Sequence, residues 1–350
     1  MKTIELRAPY LIFLGSETRV TYAKTGAGLV EWRRELCKGQ ICLPGGTIDL
    51  GLPKLSIQEA VDAGIQSLVI GTASVGGGIP DGWLELLEEA VLAGLDIVAG
   101  VHYRLNGIER LRVAASKSGA RLVDVRVPPA TLPVGTGRKR SGKRVLMVGT
   151  DCAVGKKYTA LQMEKDMKRL GMNADFRASG QTGIMIAGQG IPIDSVVSDF
   201  VSGAAELLSP DNSDDHWDVI EGQGGIFHPG FSAVSMGLLI GSQPDVFVVC
   251  HEAGRTHVEG WGDFELPSIE EVIERTVAIG SLTNREIECV GVSVNTSCLK
   301  AGEREAYLAE LTTRLGLPCV DPLQEGTDSI IARLNAVMAS RTPNLKSVSA

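Results

Sequence analysis

The stretch that most constrains this chain is Val145-Leu146-Met147-Val148-Gly149-Thr150-Asp151-Cys152-Ala153-Val154-Gly155-Lys156-Lys157-Tyr158. A short apolar run passes into a loop bounded by two glycines, and the loop passes into a segment opened by lysine. That segment carries Ala160, Met163, Met167 and Leu170 at spacings of 3, 4 and 3, one face of a helix. Strand, glycine loop and helix form the setting in which a phosphate-binding loop folds. Loop amides and a helix N-terminus offer a phosphate donors and partial positive charge, and Lys156 adds a full charge. The run Gly149, Thr150, Asp151, Cys152, Ala153, Val154, Gly155, Lys156, Lys157 and Tyr158 is therefore the candidate cofactor cradle.

Two details separate it from the strict pattern G-x4-G-K-[ST]. Gly149 and Gly155 stand one residue further apart, and Lys157 occupies the Ser/Thr position. In nucleotide hydrolases that hydroxyl binds Mg2+. A charged lysine has no lone pair for a metal but neutralises a diphosphate directly. The loop thus suits a pyrophosphate held without metal, as in coenzyme A, which keeps its diphosphate intact. The alternative is an enzyme using ATP and Mg2+, with Lys156, a displaced hydroxyl on Thr159 and Glu221 around the nucleotide. A glycine turn that binds nothing is the plain reading.

Strand and helix signals alternate on both sides of this loop. Before it, strands are expected over 10–15, 67–71, 95–100 and 121–125, and helices over 56–63, 83–93 and 107–118. Ser56 and Glu59 have capping-box spacing, and Gly64 and Gly94 sit where helices close. After it, strands are expected over 145–149, 173–177, 218–221, 246–250 and 287–294, with helices over 156–170, 203–208 and 268–279. Such alternation means parallel sheets. The fold class is α/β: a Rossmann-like N-terminal domain, 1–138, and a P-loop NTPase-like C-terminal domain, 139–350. Between them, prolines 128, 129 and 133 lead into a glycine-rich basic run ending at Arg144, which reads as a solvated linker. The tail over 340–350 is polar and expected to be loose.

Composition narrows the partners. A net charge of −8 and only 5% aromatic residues argue against nucleic-acid binding. The apolar run 10–14 is too short for a signal core or a membrane span, so a cytoplasmic protein is expected. Seven cysteines without a CxxC pair read as free, mostly buried thiols.

The remaining candidates cluster after strands. Glu221 precedes Gly222-Gln223-Gly224-Gly225, a glycine turn at the carboxyl end of a strand, where ligands bind in open α/β sheets. It can act as a base or hold Mg2+, and His228 follows within reach as a second possible base. Arg177, Ser179, Gln181 and Thr182 form a polar segment suited to a small substrate. Asp194, Asp199 and Glu206 lie among apolar neighbours, where partly buried acids can gain proton affinity; capping and surface roles are the alternative. Asn295 ends a late strand and serves equally as an adenine contact or a turn former. His251 and His257 are six apart, whereas a zinc-binding HExxH helix needs four. A covalent role for Cys152, and cleft-lining roles for His102, Arg104 and the glycines at 76–78, complete the set.

Gly149-Thr150-Asp151, Val154-Gly155-Lys156 and Glu221-Gly222-Gln223-Gly224-Gly225 resemble dethiobiotin synthetase, an ATP-dependent enzyme with the same longer loop, although Lys157 replaces its threonine. A broader resemblance covers nearly the whole chain. The Rossmann-like half, GTDCAVGKK, SGQTGIMIAG, DSVVSDFVSGAAE and EGQGGIFHPG are similar to the DgcN-type family. That resemblance implies D-glutamate N-acetylation from acetyl-CoA in D-glutamate catabolism, with CoA phosphates held by Gly149 to Lys157. Amino-group acetylation needs a base for the ammonium, for which Asp199, Glu221, His228 and Glu206 are candidates, Asp199 and Glu221 leading. Loop amides near Gly224 or Gly183 are candidate oxyanion donors. Arg177, Arg255 and Lys157 are candidate cations for two substrate carboxylates. No metal site and a homodimer are expected.

Overall fold

The computed structural model describes residues 4–19, 22–72, 79–101 and 103–341. The chain divides into two units, one of Met1–Ala130 with Gly180–Ser195, the other of Thr131–Ser179 with Val196–Ala350. In chain order the first contains β1 (Ile4–Glu5), β2 (Tyr10–Phe13), α1 (Lys24–Trp32), β3 (Cys37–Ile41), α2 (Ile57–Asp62), β4 (Ser67–Ile70), α3 (Leu84–Leu92), β5 (Asp96–Ala99), α4 (Glu109–Ser118) and β6 (Leu122–Asp124). Five of these strands form a parallel sheet in the order β3-β2-β4-β5-β6. β2, β4 and β5 are buried along their whole length, as strands covered on both faces must be. Leu11, Phe13, Leu68, Ile70, Leu87 and Ile97 form part of one continuous core. The Ser56–Glu59 capping box is present at α2: the Glu59 amide donates to the Ser56 hydroxyl at 3.3 Å, and the Ser56 amide donates to the Glu59 carboxylate at 2.8 Å. Gly64 and Gly94 follow α2 and α3 with φ of 74° and 92°, the left-handed closure that glycine allows.

The second unit begins with β7 (Lys143–Gly149), α5 (Lys156–Arg169) and β8 (Ala174–Arg177). The next elements, α6 (Gln181–Ala187) and β9 (Gln189–Gly190), belong to the first unit, where β9 pairs antiparallel with β1. The second unit then continues with α7 (Val201–Leu208), β10 (Trp217–Ile220), α8 (Ser232–Ser242), β11 (Val246–Glu252), β12 (His257–Val258), β13 (Trp261–Glu265), α9 (Ile269–Gly280), β14 (Glu288–Asn295), α10 (Ala301–Leu315), β15 (Cys319–Val320), α11 (Pro322–Glu325) and α12 (Asp328–Arg341). Its parallel sheet has the order β15-β14-β11-β7-β10-β8. β7 is central: the chain leaves it for β8 and β10 on one side, then crosses to β11 and β14 on the other. Its carboxyl end is a switch point of the kind where open α/β sheets bind ligands.

The basic run before β7 is not a uniformly solvated linker. Arg138 and Lys139 face solvent, but Arg144 belongs to β7 and is 1% exposed, and Arg140 is also buried. Arg144 donates to the Ser209 hydroxyl at 2.7 Å and to the carbonyls of Arg140, Gly142, Ser141 and Pro210. Arg140 donates to the carbonyls of Ser209, Gly241 and Ser242 at 2.7, 2.9 and 3.0 Å. Burial is the main force lowering both guanidinium pKa values, that of Arg140 to about 10. These side chains gather carbonyls of the turns at 140–142 and 209–210 and the last carbonyls of α8, which have no partner within the helix.

Among the described residues no helix is long and apolar enough to cross a membrane. The seven cysteines are free thiols; Cys37, Cys250, Cys289 and Cys319 are buried and Cys298 is exposed. His102, the glycines at 76–78 and the tail beyond 341 lie outside the described residues.

Candidate active site

β7 carries Gly149 to the sheet edge, and the backbone then turns through Ala153 at φ 56° and Gly155 at φ 106° before α5 begins. A Cβ at Gly149 would lie 2.9 Å from Val154 Cγ2 and 3.0 Å from Lys156 Nζ, so the residue is glycine for want of space. Gly222 is tighter still: a Cβ there would lie 1.6 Å from the Met147 carbonyl oxygen. The glycines of the loop after β10 thus let its backbone pass against β7.

Asp151 is buried and organises the loop. One carboxylate oxygen accepts the Cys152 amide at 2.6 Å; the other accepts Arg255 Nη1 at 2.9 Å and the Glu259 amide at 2.8 Å. Arg255 also donates to the Cys152 carbonyl at 2.8 Å and pairs with Glu252. Burial opposes its charge, yet hydrogen bonds and charges from Asp151 and Glu252 outweigh that and raise its pKa. Lys156 is buried with Nζ donating to the Asp151 carbonyl at 2.6 Å, and burial pushes its pKa down. Lys157 stands beside it on α5, its ammonium 4.4 Å from the Tyr158 ring centre. Thr159 Oγ1 donates to the Gly155 carbonyl at 3.1 Å and lies 2.7 Å from Ser293 Oγ, inside the packed layer beneath the loop.

Glu221, just past β10, is buried and clasped by Ser179 in two ways. The Ser179 amide donates to the Glu221 carboxylate at 3.0 Å, and the Ser179 hydroxyl donates to the Glu221 carbonyl at 2.6 Å. Gln223 Nε2 donates to the same hydroxyl at 2.9 Å. His228 is 1% exposed, its Nε2 lying 3.8 Å from Asp151 Oδ1. Arg255 is hydrogen-bonded to the phosphate loop, and the segment carrying Glu221 and His228 is packed against that loop and β7, so these residues share one neighbourhood in the second unit.

The other expected site residues are elsewhere. Asp199 is exposed in a 3-10 turn before α7, and Asp194 is exposed too, so neither is the partly buried acid its apolar neighbours suggested. Glu206 on α7 accepts the amides of Thr136 and Gly137 at 2.8 and 2.9 Å, fastening the segment that precedes β7. Arg177 donates to Asp218 at 2.7 Å, so its charge is matched within the sheet. Gln181 and Thr182 open α6 in the first unit, where Gln181 Oε1 accepts Arg126 Nε at 3.1 Å. Asn295 Oδ1 accepts the Ser297 amide at 3.1 Å, which is the turn-forming role.

Sequence reasoning missed His251. It is buried at the end of β11, with Nδ1 3.2 Å from Thr150 Oγ1. Burial, then the charges of Arg255 and Arg314, push its pKa down to about 4, so the ring is neutral near pH 7. With Arg255, His257, Glu265, Tyr307 and Arg314 it lines a cleft of about 470 Å³. The signal was its position one strand from the phosphate loop; the failed zinc spacing had set it aside.

Asp151, Cys152 and His228 each bring one potential metal-binding atom within 4.8 Å of the others. The ring chemistry does not fit a metal. The Gly230 amide donates to His228 Nδ1 at 3.0 Å, so the neutral ring carries its proton on Nε2, which then has no lone pair to give. Burial also raises the Cys152 thiol pKa, opposing the thiolate that a metal or an acyl group would require.

Known proteins place this geometry in a family. Residues 43–128 match the Rossmann-like domain described as Domain of unknown function (DUF1611_N), and residues 133–331 match the P-loop domain described as Domain of unknown function (DUF1611_C). Two relatives named D-glutamate N-acetyltransferase, from Pseudoalteromonas sp and Tritonibacter scottomollicae, are 46% and 45% identical, each over 95% of this chain and 100% of their own. A crystal structure of a DUF1611 family protein from Anabaena variabilis superposes with a TM-score of 0.81 at 34% identity, covering 95% of this chain and all of that one. This chain belongs to the DUF1611 family, and it is an acyltransferase, an N-acetyltransferase with a Rossmann-like and a P-loop domain.

Proposed function

We propose that the chain transfers the acetyl group of acetyl-CoA to the amino group of an acidic amino acid, with D-glutamate as the substrate. The observation that carries this reading is full-length identity of 46% to a protein named D-glutamate N-acetyltransferase. The amine nitrogen attacks the thioester carbonyl carbon, the carbon–sulfur bond breaks, CoA leaves as its thiol, and the ammonium proton passes to a base.

The loop supports CoA as donor. Lys156 and Lys157 stand at the start of α5, and Thr159, the displaced hydroxyl that a metal–nucleotide reading requires, is committed to Ser293 and Gly155. A diphosphate gripped there is a handle and keeps its bonds. The cleft supports a small charged substrate: it is lined by Arg255, Arg314 and Glu265, and substrate carboxylates there would share Arg255 with Asp151 and Glu252, and Arg314 with Glu270.

The test is a titration with acetyl-CoA, ATP and ADP, with and without Mg2+, followed by a thiol-release assay across D- and L-amino acids. CoA release that requires D-glutamate is the expected result. Tight Mg2+-dependent ATP binding without CoA binding would return the reading to an ATP-dependent enzyme.

A further inference from the structure

Among the described residues of the second unit, His228 Nε2, Thr276 Oγ1 and Arg304 Nε are buried without a hydrogen-bond partner, and of these His228 is the one beside the phosphate loop. His228 has its Nδ1 occupied by the Gly230 amide at 3.0 Å. A nitrogen that accepts an N–H cannot also carry a proton, so in the neutral ring the hydrogen is on Nε2. Nε2 is buried and has no hydrogen-bond partner among the described residues; Asp151 Oδ1, at 3.8 Å, is beyond bonding distance. The ring cannot easily turn away. Phe231 lies against it at 4.5 Å between centroids, and Trp261 meets it edge-on at 4.6 Å. A buried donor without an acceptor is costly, and native proteins keep few of them.

Its direction identifies the missing acceptor. A nitrogen of the ring, the Cys152 sulfur and an Asp151 carboxylate oxygen lie within 4.8 Å of one another, and both of those neighbours belong to the loop between Gly149 and Gly155. An oxygen held on that loop is within reach of Nε2–H. We propose that His228 is a neutral hydrogen-bond donor reserved for a phosphate oxygen of the ligand, and neither the base of the reaction nor a metal ligand. This rests on the reading of the loop as a diphosphate grip. It extends the grip from α5 to the turn after β10, because His228 and Gly222 belong to one glycine-rich segment folded against β7.

Calorimetric titration of the full chain with CoA, ADP and inorganic pyrophosphate tests it, on wild type, His228→Phe and His228→Gln. His228→Phe keeps the aromatic packing without the donor and is expected to weaken CoA binding about 10- to 100-fold. His228→Gln restores an N–H and is expected to recover most of that loss. In the thiol-release assay His228→Gln is expected to keep the acidic limb of the wild-type pH profile, which a base at this position would not. Equal CoA affinity in all three proteins overturns the proposal, as does stoichiometric Zn2+ binding that vanishes in His228→Gln. Wild type that binds none of the three ligands overturns the diphosphate reading itself. Should the variants fail to fold, long-range 1H–15N spectra of wild type decide the matter. A ring protonated on Nε2, whose proton resonance moves when CoA is added, supports the role; a ring protonated on Nδ1 removes it.

Discussion

The Lys156 ammonium lies 2.6 Å from the main-chain oxygen of Asp151, five residues earlier, so the loop's own backbone holds the cation that a phosphate would take. The same burial that lowers the lysine pKa makes its charge effective toward a ligand, because few waters compete. Lys156→Met is expected to weaken CoA binding by about 1.5–3 kcal/mol, read by calorimetry. Its melting temperature should equal or exceed that of wild type, since a buried charge with a depressed pKa costs folding energy. Unchanged CoA affinity would show that the loop binds something else.

Gly222→Ala is expected to cost more than about 4 kcal/mol or to prevent soluble expression. The added Cβ would meet the Met147 carbonyl oxygen at 1.6 Å, and that oxygen belongs to the backbone of β7, which cannot step aside. Gly225→Ala is the control. Its nearest neighbour would be Asp151 Cα at 3.3 Å, which a shift of a few tenths of an ångström relieves, so a loss within about 1 kcal/mol is expected. Urea denaturation of both variants measures the difference.

Acid should destabilise the protein through His251. Its folded pKa is lowered to about 4, so between pH 6.5 and 4 the unfolded chain binds a proton that the folded chain refuses. Stability from this group is complete above the unfolded pKa. It falls by about 3 kcal/mol as pH drops toward the folded value, then levels off. His251→Gln removes that slope. Equal slopes for wild type and variant over this range, in urea denaturation, would mean that the ring is not held neutral.

Arg144→Met is expected to cost about 3–5 kcal/mol, because the buried Arg140 carbonyl and Ser209 hydroxyl and three part-buried carbonyls lose this donor. Arg138→Ala, on an exposed pair with Asp211, should stay within about 0.5 kcal/mol. Thermal melts of the two variants check whether the basic run is half core, as the structure has it.

These residues show where sequence reading stops. β2, β4, β5, β7, β10, β11 and β14 all fall within or beside the runs expected from apolar periodicity, and α5 starts at Lys156 as the loop pattern requires. α1, α6, α8, α10, α11 and α12 were not anticipated, and two of them, α6 and α8, have a plain reason. Gln181–Ala187 and Ser232–Ser242 are rich in glycine and small or apolar residues, and a helix apolar on most sides has no stripe to detect. Arg140 and Arg144 look like Arg138 in the sequence, and only the carbonyls contributed by 209–210 and 241–242 separate them.

The sequence alone determined the alternation of strands and helices, the phosphate loop and the family resemblance, because each is written in contiguous residues at fixed spacing. The tertiary structure decided which charges are spent. Arg177 on Asp218, Glu206 on the segment before β7 and Thr159 on Ser293 are pairings across 41, 70 and 134 positions of chain. The proton on His228 is likewise set by how the 228–230 turn folds, since a ring nitrogen's role depends on the partner that reaches it and not on the letter in the sequence.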